Sequence, residues 1–126
     1  MSKTVVFDFD GVIHSYSSGW QGIGIANDLP VDGIGEALKQ IHEAGYKIAV
    51  VSSRCTTSEG RSCVNDYLMT YDLLKYVDLI CSEKPPAVVY VDDRAICFDG
   101  NPDSLLDKIK SFKPWYQIHS KSKKLF

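Results

Sequence analysis

Apolar positions along the chain follow two periods. Thr4–Phe7 is a β-branched and aromatic run, too short for a helix, that ends in acidic residues and glycine and predicts a buried strand. From Asp32 the pattern changes: Ile34, Leu38 and Ile41 recur one helical face apart, Ala37 widens the stripe, and Gly45 suits the position just past a helix end. Tyr46–Val51 predicts a second strand. A second helix is expected from about Ser58 to Leu74, with Val64, Tyr67, Leu68 and Tyr71 on its apolar face, then strands at Asp78–Cys81 and Ala87–Val91 and a candidate fifth at Ala95–Phe98. Asn101 followed by Pro102 reads as a helix cap and first helical residue, with Leu105, Ile109 and Phe112 facing inward and Pro114 ending the helix.

Strands alternating with helices place the chain in the α/β class, as a parallel sheet with helices on both faces. In such sheets ligands bind beyond the carboxyl ends of the strands, at the point where strand order reverses. Polar clusters follow the first, second and fourth strands. Residues 12–30 hold no sustained period and are rich in glycine and serine, a flap-like excursion of the length that is usually functional. The 114–126 tail carries Lys121, Lys123 and Lys124, which reads as a solvated end.

Composition narrows this picture. With 126 residues, 44% of them hydrophobic, one domain spanning 1–126 is expected. A net charge of −2 and a pI near 5.8 argue against bulk nucleic-acid binding. No stretch of about 18 apolar residues suggests a membrane span, so a cytoplasmic protein is expected. The cysteines Cys55, Cys63, Cys81 and Cys97 lack zinc or redox spacing and read as free, mostly buried thiols in a reducing compartment.

The chemistry concentrates at the strand ends. Asp8 and Asp10 lie two positions apart, so extended geometry would place two carboxylates on one side, where like charges either raise a pKa or recruit a cation. Asp92 and Asp93 would add oxygens to the same rim, and an all-oxygen site suits Mg²⁺. Cleaving a phosphate monoester needs an in-line nucleophile, a proton donor and positive charge on the phosphoryl oxygens. Asp8, Asp10, Mg²⁺ and Lys84 can fill those roles.

Asp8-Phe9-Asp10-Gly11-Val12, Val51-Ser52-Ser53-Arg54, Glu83-Lys84-Pro85-Pro86 and Val91-Asp92-Asp93, in that order, resemble the four motifs of the haloacid dehalogenase (HAD) superfamily. The resemblance implies a Rossmann-like fold in which Asp8 attacks phosphorus and Asp10 serves as general acid and then base. It further implies that Ser52 holds phosphoryl oxygens and Lys84 stabilises charge. Mg²⁺ would be held by Asp8, the Asp10 backbone carbonyl, Asp92 and Asp93. Gly11 and Ser53, inside the motifs, fall on the substrate side. The gaps between motifs leave no room for a cap domain, so the chain looks like a short capless phosphatase, with the excursion as its flap.

Beside these, Arg54 and Arg94 flank the site and either bind a second phosphate or pair with a carboxylate. Trp20 either stacks on a substrate base or sugar or staples the excursion to the body, and His14, Tyr16 and Gln21 are further candidate contacts. The expected function is a phosphohydrolase acting on a phosphate monoester, nucleotide-like or at a phosphorylated macromolecular end. The alternatives are a non-catalytic phosphate- and metal-binding docking module and a phosphotransferase using the same site. An open site also invites closure by a second copy of the chain, so a homo-oligomer is among the expected partners.

Overall fold

The fold comes from a computed structural model, in which residues 3–118 are described. The lysines expected in the tail, Lys121, Lys123 and Lys124, lie outside the described residues. The chain divides after Asp92 into two units, Met1–Asp92 and Asp93–Phe126.

In the first unit, β1 (Thr4–Asp8), β2 (Lys47–Val51), β3 (Leu79–Cys81) and β4 (Val89–Val91) form a parallel sheet in the order β3-β2-β1-β4, which establishes the α/β class. Side chains alternate across it. Val5, Phe7, Phe9, Ile48 and Val50 face Leu38 of α1 (Ile34–Glu43) and Val64, Tyr67 and Leu68 of α2 (Ser58–Thr70), forming the main core. Val6, Ala49 and Val51 turn the other way, into a smaller cluster with Cys81 and Ala87. Both helices of this unit therefore cover one face, where helices on both faces were expected. The reason is topological: β1 to β2 and β2 to β3 step in the same direction, and right-handed crossovers then deliver both helices to one side. The return from β3 to β4 crosses to the far edge without a helix.

Helix ends follow local chemistry. Gly45 closes α1 as expected, at φ 94°, with its N–H on His42 O and the Tyr46 N–H on Ile41 O. The second helix stops at Thr70, short of the expected Leu74, because Asp72 takes the left-handed conformation at φ 60° and the Leu73 N–H bonds back to Leu68 O. Aspartate tolerates that conformation well enough to end a helix without glycine.

In the second unit the Asn101 side chain accepts the Asp103 N–H at 3.1 Å and Pro102 opens a 3-10 turn (Pro102–Ser104) that runs into α3 (Leu105–Ser111). The capping expectation holds. The expected inward face does not: α3 buries none of its residues, and Ile109 is 60% exposed. Ala95–Phe98 joins no ladder, so the candidate fifth strand is absent among the described residues. Short helical segments such as α3 offer little apolar surface with which to enclose a core. No described helix is long and apolar enough to cross a membrane.

Candidate functional site

Parallel pairing brings the carboxyl ends of β1, β2 and β4 to one edge of the sheet, with Asp8 opposite Val51 and Phe7 opposite Val91. Asp8 ends β1, Ser52 follows β2 and Asp92 follows β4. Successive strands run from β1 through β2 to β3 on one side, and β4 lies on the other side of β1, so strand order reverses between β1 and β4. That junction is where the expected ligand position falls.

Two half-buried carboxylates meet there. Asp8 and Asp92 present oxygens within 4.8 Å of each other, and the Asp8 Oδ1 also accepts the Phe9 N–H at 2.9 Å. Lys84 Nζ donates to Asp92 Oδ2 at 3.0 Å. Lys84 is 52% exposed, so the pair contributes at most about 1 kcal/mol to stability and acts mainly to place a charge. The hydrogen bond to Asp92 holds the Lys84 pKa above the usual lysine value, with Asp8 adding to the effect. Tyr90, in the middle of β4, fixes this lysine: its hydroxyl donates to Pro85 O at 2.8 Å and its ring lies 5.7 Å from Lys84 Nζ. One ammonium against two carboxylates leaves negative charge on hard oxygen donors, a donor set that fits Mg²⁺. Asp93, the next residue, opens the second unit, where its Oδ2 accepts the Tyr116 hydroxyl at 2.9 Å.

Asp10 has different partners. Arg54 donates through Nε to Asp10 Oδ2 at 2.8 Å and through a terminal nitrogen to Oδ1 at 3.2 Å, while His14 Nδ1 lies 2.7 Å from Oδ1. The Asp28 N–H donates to His14 Nε2 at 3.2 Å, so Nδ1 carries the proton that His14 gives to Asp10. Burial pushes the Asp10 carboxyl upward, but the hydrogen bonds from His14 and Arg54 and the Arg54 charge outweigh it and hold the pKa below the usual carboxylate value. The Asp10 carboxylate is thus kept ionised.

Of the two alternatives read for Arg54, the carboxylate pairing is the one found. Arg54 is 0% exposed, and its remaining terminal nitrogen donates to the carbonyls of Gly22 and Ile23 at 2.8 and 2.9 Å. Trp20 lies against the same group: its ring centroid is 4.6 Å from the Arg54 guanidinium carbon, a cation–π contact of about 0.5–2 kcal/mol. Arg94 belongs to the second unit and donates to the Tyr116 hydroxyl.

Ser52 is buried, and its Oγ caps the 3-10 turn Ser53–Thr56 by accepting the Arg54 N–H at 3.1 Å, which leaves the hydroxyl proton to donate. Ser53 is exposed at the start of that turn. Gly11, at φ 84°, turns the chain after Asp10 and donates its N–H to His14 O at 2.8 Å.

The excursion is pinned at its base, where Ser15 N–H bonds to Leu29 O and Val31 N–H to Ile13 O. Its Asp28 carboxylate accepts both the Ser18 N–H and the Ser18 hydroxyl, and Tyr67 of α2 donates to Asp28 O at 2.8 Å. Tyr16 stands edge-on to His14.

Two supporting residues escaped the sequence reading. From the sequence, Tyr67 reads only as a core-face residue. Gly60 lies inside α2, where a Cβ would come 1.9 Å from the Arg54 carbonyl oxygen. The available signal was a lone glycine within a helical pattern, which usually marks close packing.

All four cysteines are free, though only Cys55 is buried, and burial raises the pKa of Cys55, Cys63 and Cys81, which makes them poor nucleophiles at neutral pH. A cleft of about 530 Å³ beside α2, lined by Arg61, Asn65, Asp66 and Asp78 among others, includes none of the expected site residues. No protein-family model and no curated protein matches the chain.

Proposed function

We propose that this chain is a Mg²⁺-dependent phosphohydrolase that cleaves a phosphate monoester through an aspartyl phosphate on Asp8, in a capless HAD-like fold. The observation that carries the reading is the meeting of Asp8, Asp92 and Lys84 where strand order reverses between β1 and β4. A carboxylate nucleophile, oxygen donors for a cation and a lysine charge stand together there, with Asp10 two residues on.

In this reading an Asp8 oxygen attacks phosphorus, the bond from phosphorus to the ester oxygen breaks, and that oxygen takes a proton from Asp10. Water then attacks the phosphorus, Asp10 accepts its proton, and the bond from phosphorus to the Asp8 oxygen breaks to release inorganic phosphate. Lys84 and the Ser52 hydroxyl stabilise the phosphoryl oxygens. Asp8 and Asp92, with Asp93 and the Asp10 carbonyl as the resemblance assigns them, would hold Mg²⁺, which when bound neutralises charge on the phosphoryl group.

The ionised state of Asp10 suits accepting a proton from water. Donation draws on the minor protonated form, so esters with good leaving groups should turn over fastest. A site without a cap suits a phosphate carried on a small molecule or on a macromolecular end, and a second subunit would be the means of closing it.

The test is release of inorganic phosphate from 4-nitrophenyl phosphate by the purified protein, with Mg²⁺ and with chelator. Turnover that needs Mg²⁺ and disappears in Asp8→Asn supports the proposal. Turnover that persists in Asp8→Asn contradicts it, and metal-dependent phosphate binding without turnover would favour the docking-module alternative.

A further inference from the structure

Arg54 is hemmed in on every side. Its Nε and one terminal nitrogen hold the two oxygens of Asp10, and its other terminal nitrogen holds the carbonyls of Gly22 and Ile23 in the middle of the excursion. A guanidinium is a rigid planar fork, so a single orientation of the group serves both sets of partners. The Trp20 ring covers one approach to the guanidinium at 4.6 Å, while Trp20 itself is 55% exposed.

The Arg54 backbone has no slack either. Its N–H is held by Ser52 Oγ, its carbonyl accepts from the Thr57 N–H and hydroxyl, and Gly60 abuts that carbonyl so closely that no side chain would fit. His14 supplies a second tie of the same kind, between Asp10 and Asp28 at the return of the excursion. One side chain thus holds both the Asp10 carboxylate and the backbone at residues 22–23.

We propose that Arg54 is a positioning residue that couples the order of the 12–30 excursion to the orientation of the Asp10 carboxylate, with Trp20 shielding the coupling from water. Its catalytic consequence rests on the phosphohydrolase reading; the coupling itself does not. Such coupling is reciprocal: whatever loosens one end loosens the other.

Two measurements test it on the wild type, Arg54→Lys, Trp20→Ala and Asp10→Asn. The first is steady-state kinetics with Mg²⁺ on 4-nitrophenyl phosphate and on phenyl phosphate, which has the poorer leaving group. The second is hydrogen exchange of backbone amides in the excursion against those of β1 and β2. Arg54→Lys keeps the charge but loses the fork, so kcat should fall by about 10²-fold with KM little changed, as misplacing a catalytic group does, and more steeply for phenyl phosphate. Amide exchange in the excursion should rise in Arg54→Lys and in Asp10→Asn, with the strands unchanged. In Trp20→Ala it should rise by roughly 2- to 30-fold.

A raised KM at constant kcat in Arg54→Lys would mean direct contact with the substrate phosphate and would overturn the proposal. Unchanged exchange in the excursion of Asp10→Asn would overturn it as well, whatever Arg54→Lys shows, because Arg54→Lys removes its own bonds to residues 22 and 23. If the wild type releases no phosphate, the phosphohydrolase reading fails and the exchange of Asp10→Asn alone decides the coupling.

Discussion

Arg54 Nε lies 2.8 Å from Asp10 Oδ2, joining residues 44 positions apart in the chain. The pair links the segment after β1 to the turn after β2, joining a fully buried guanidinium to a carboxylate that is 20% exposed. A buried ion pair adds little net stability over an apolar pair of similar shape, but losing one partner strands the other. Arg54→Met should therefore destabilise the protein by about 3–5 kcal/mol in urea unfolding. The double variant Arg54→Met with Asp10→Asn should lose less than the sum of the two single losses; strict additivity would mean that the two side chains do not act together.

Gly60→Ala is expected to be costly although alanine is the better helix former. The added Cβ would lie 1.9 Å from a backbone oxygen, which cannot swing aside as a flexible side chain can. A loss of at least about 1–3 kcal/mol should follow, together with reduced activity as Arg54 shifts. Gly35→Ala in α1 is the control: its Cβ would meet only Leu73 at 3.4 Å, so it should be neutral or stabilising by up to about 1 kcal/mol. Equal melting temperatures for the two variants would contradict the close-packing account.

Acid should unfold the protein partly through Asp10 and Asp28. Burial opposes ionisation of both, but hydrogen bonds from His14 and Arg54 to Asp10, and from Ser18 to Asp28, leave each pKa below the usual carboxylate value. A carboxyl that titrates lower when folded stabilises the protein above its unfolded pKa, and that contribution is lost as pH falls through the folded pKa. Unfolding free energy measured from pH 6 to about pH 2 should decline, with a shallower decline in Asp10→Asn and in Asp28→Asn. An identical slope in all three proteins would show that these groups do not carry the acid sensitivity.

Lys84→Ala should reduce kcat by about 10²–10³-fold, the range seen when one group stabilising transition-state charge is removed. The Tm should change little, since the ion pair with Asp92 is exposed on the lysine side. A large loss of Tm with unchanged kinetics would assign the lysine to structure instead.

Much of the sheet was legible because a strand end announces itself: Thr4–Phe7 and Tyr46–Val51 are apolar runs cut off by polar residues, and both formed strands within a residue of their expected limits. The Asn101–Pro102 start was legible for the same local reason. The end of α2 was not, since Asp72 does the work usually left to glycine. In the site, Asp8, Lys84 and Asp92 come together because parallel pairing aligns strand ends that the motifs mark. The fate of Arg54 stayed open between phosphate and carboxylate, because a contact across 44 residues leaves no periodic trace. Which helices share a face depended on strand order, which local patterns do not encode.

The central claim is that Asp8 becomes phosphorylated. The most direct measurement is to quench the purified protein after mixing it with an aryl phosphate and Mg²⁺, reduce it with borohydride, which converts an aspartyl phosphate to homoserine, and locate the change by peptide mass spectrometry. Homoserine at position 8, absent without substrate and absent in Asp8→Asn, is the expected result. Rapid turnover with no modification at position 8, or modification at another aspartate, would contradict the account.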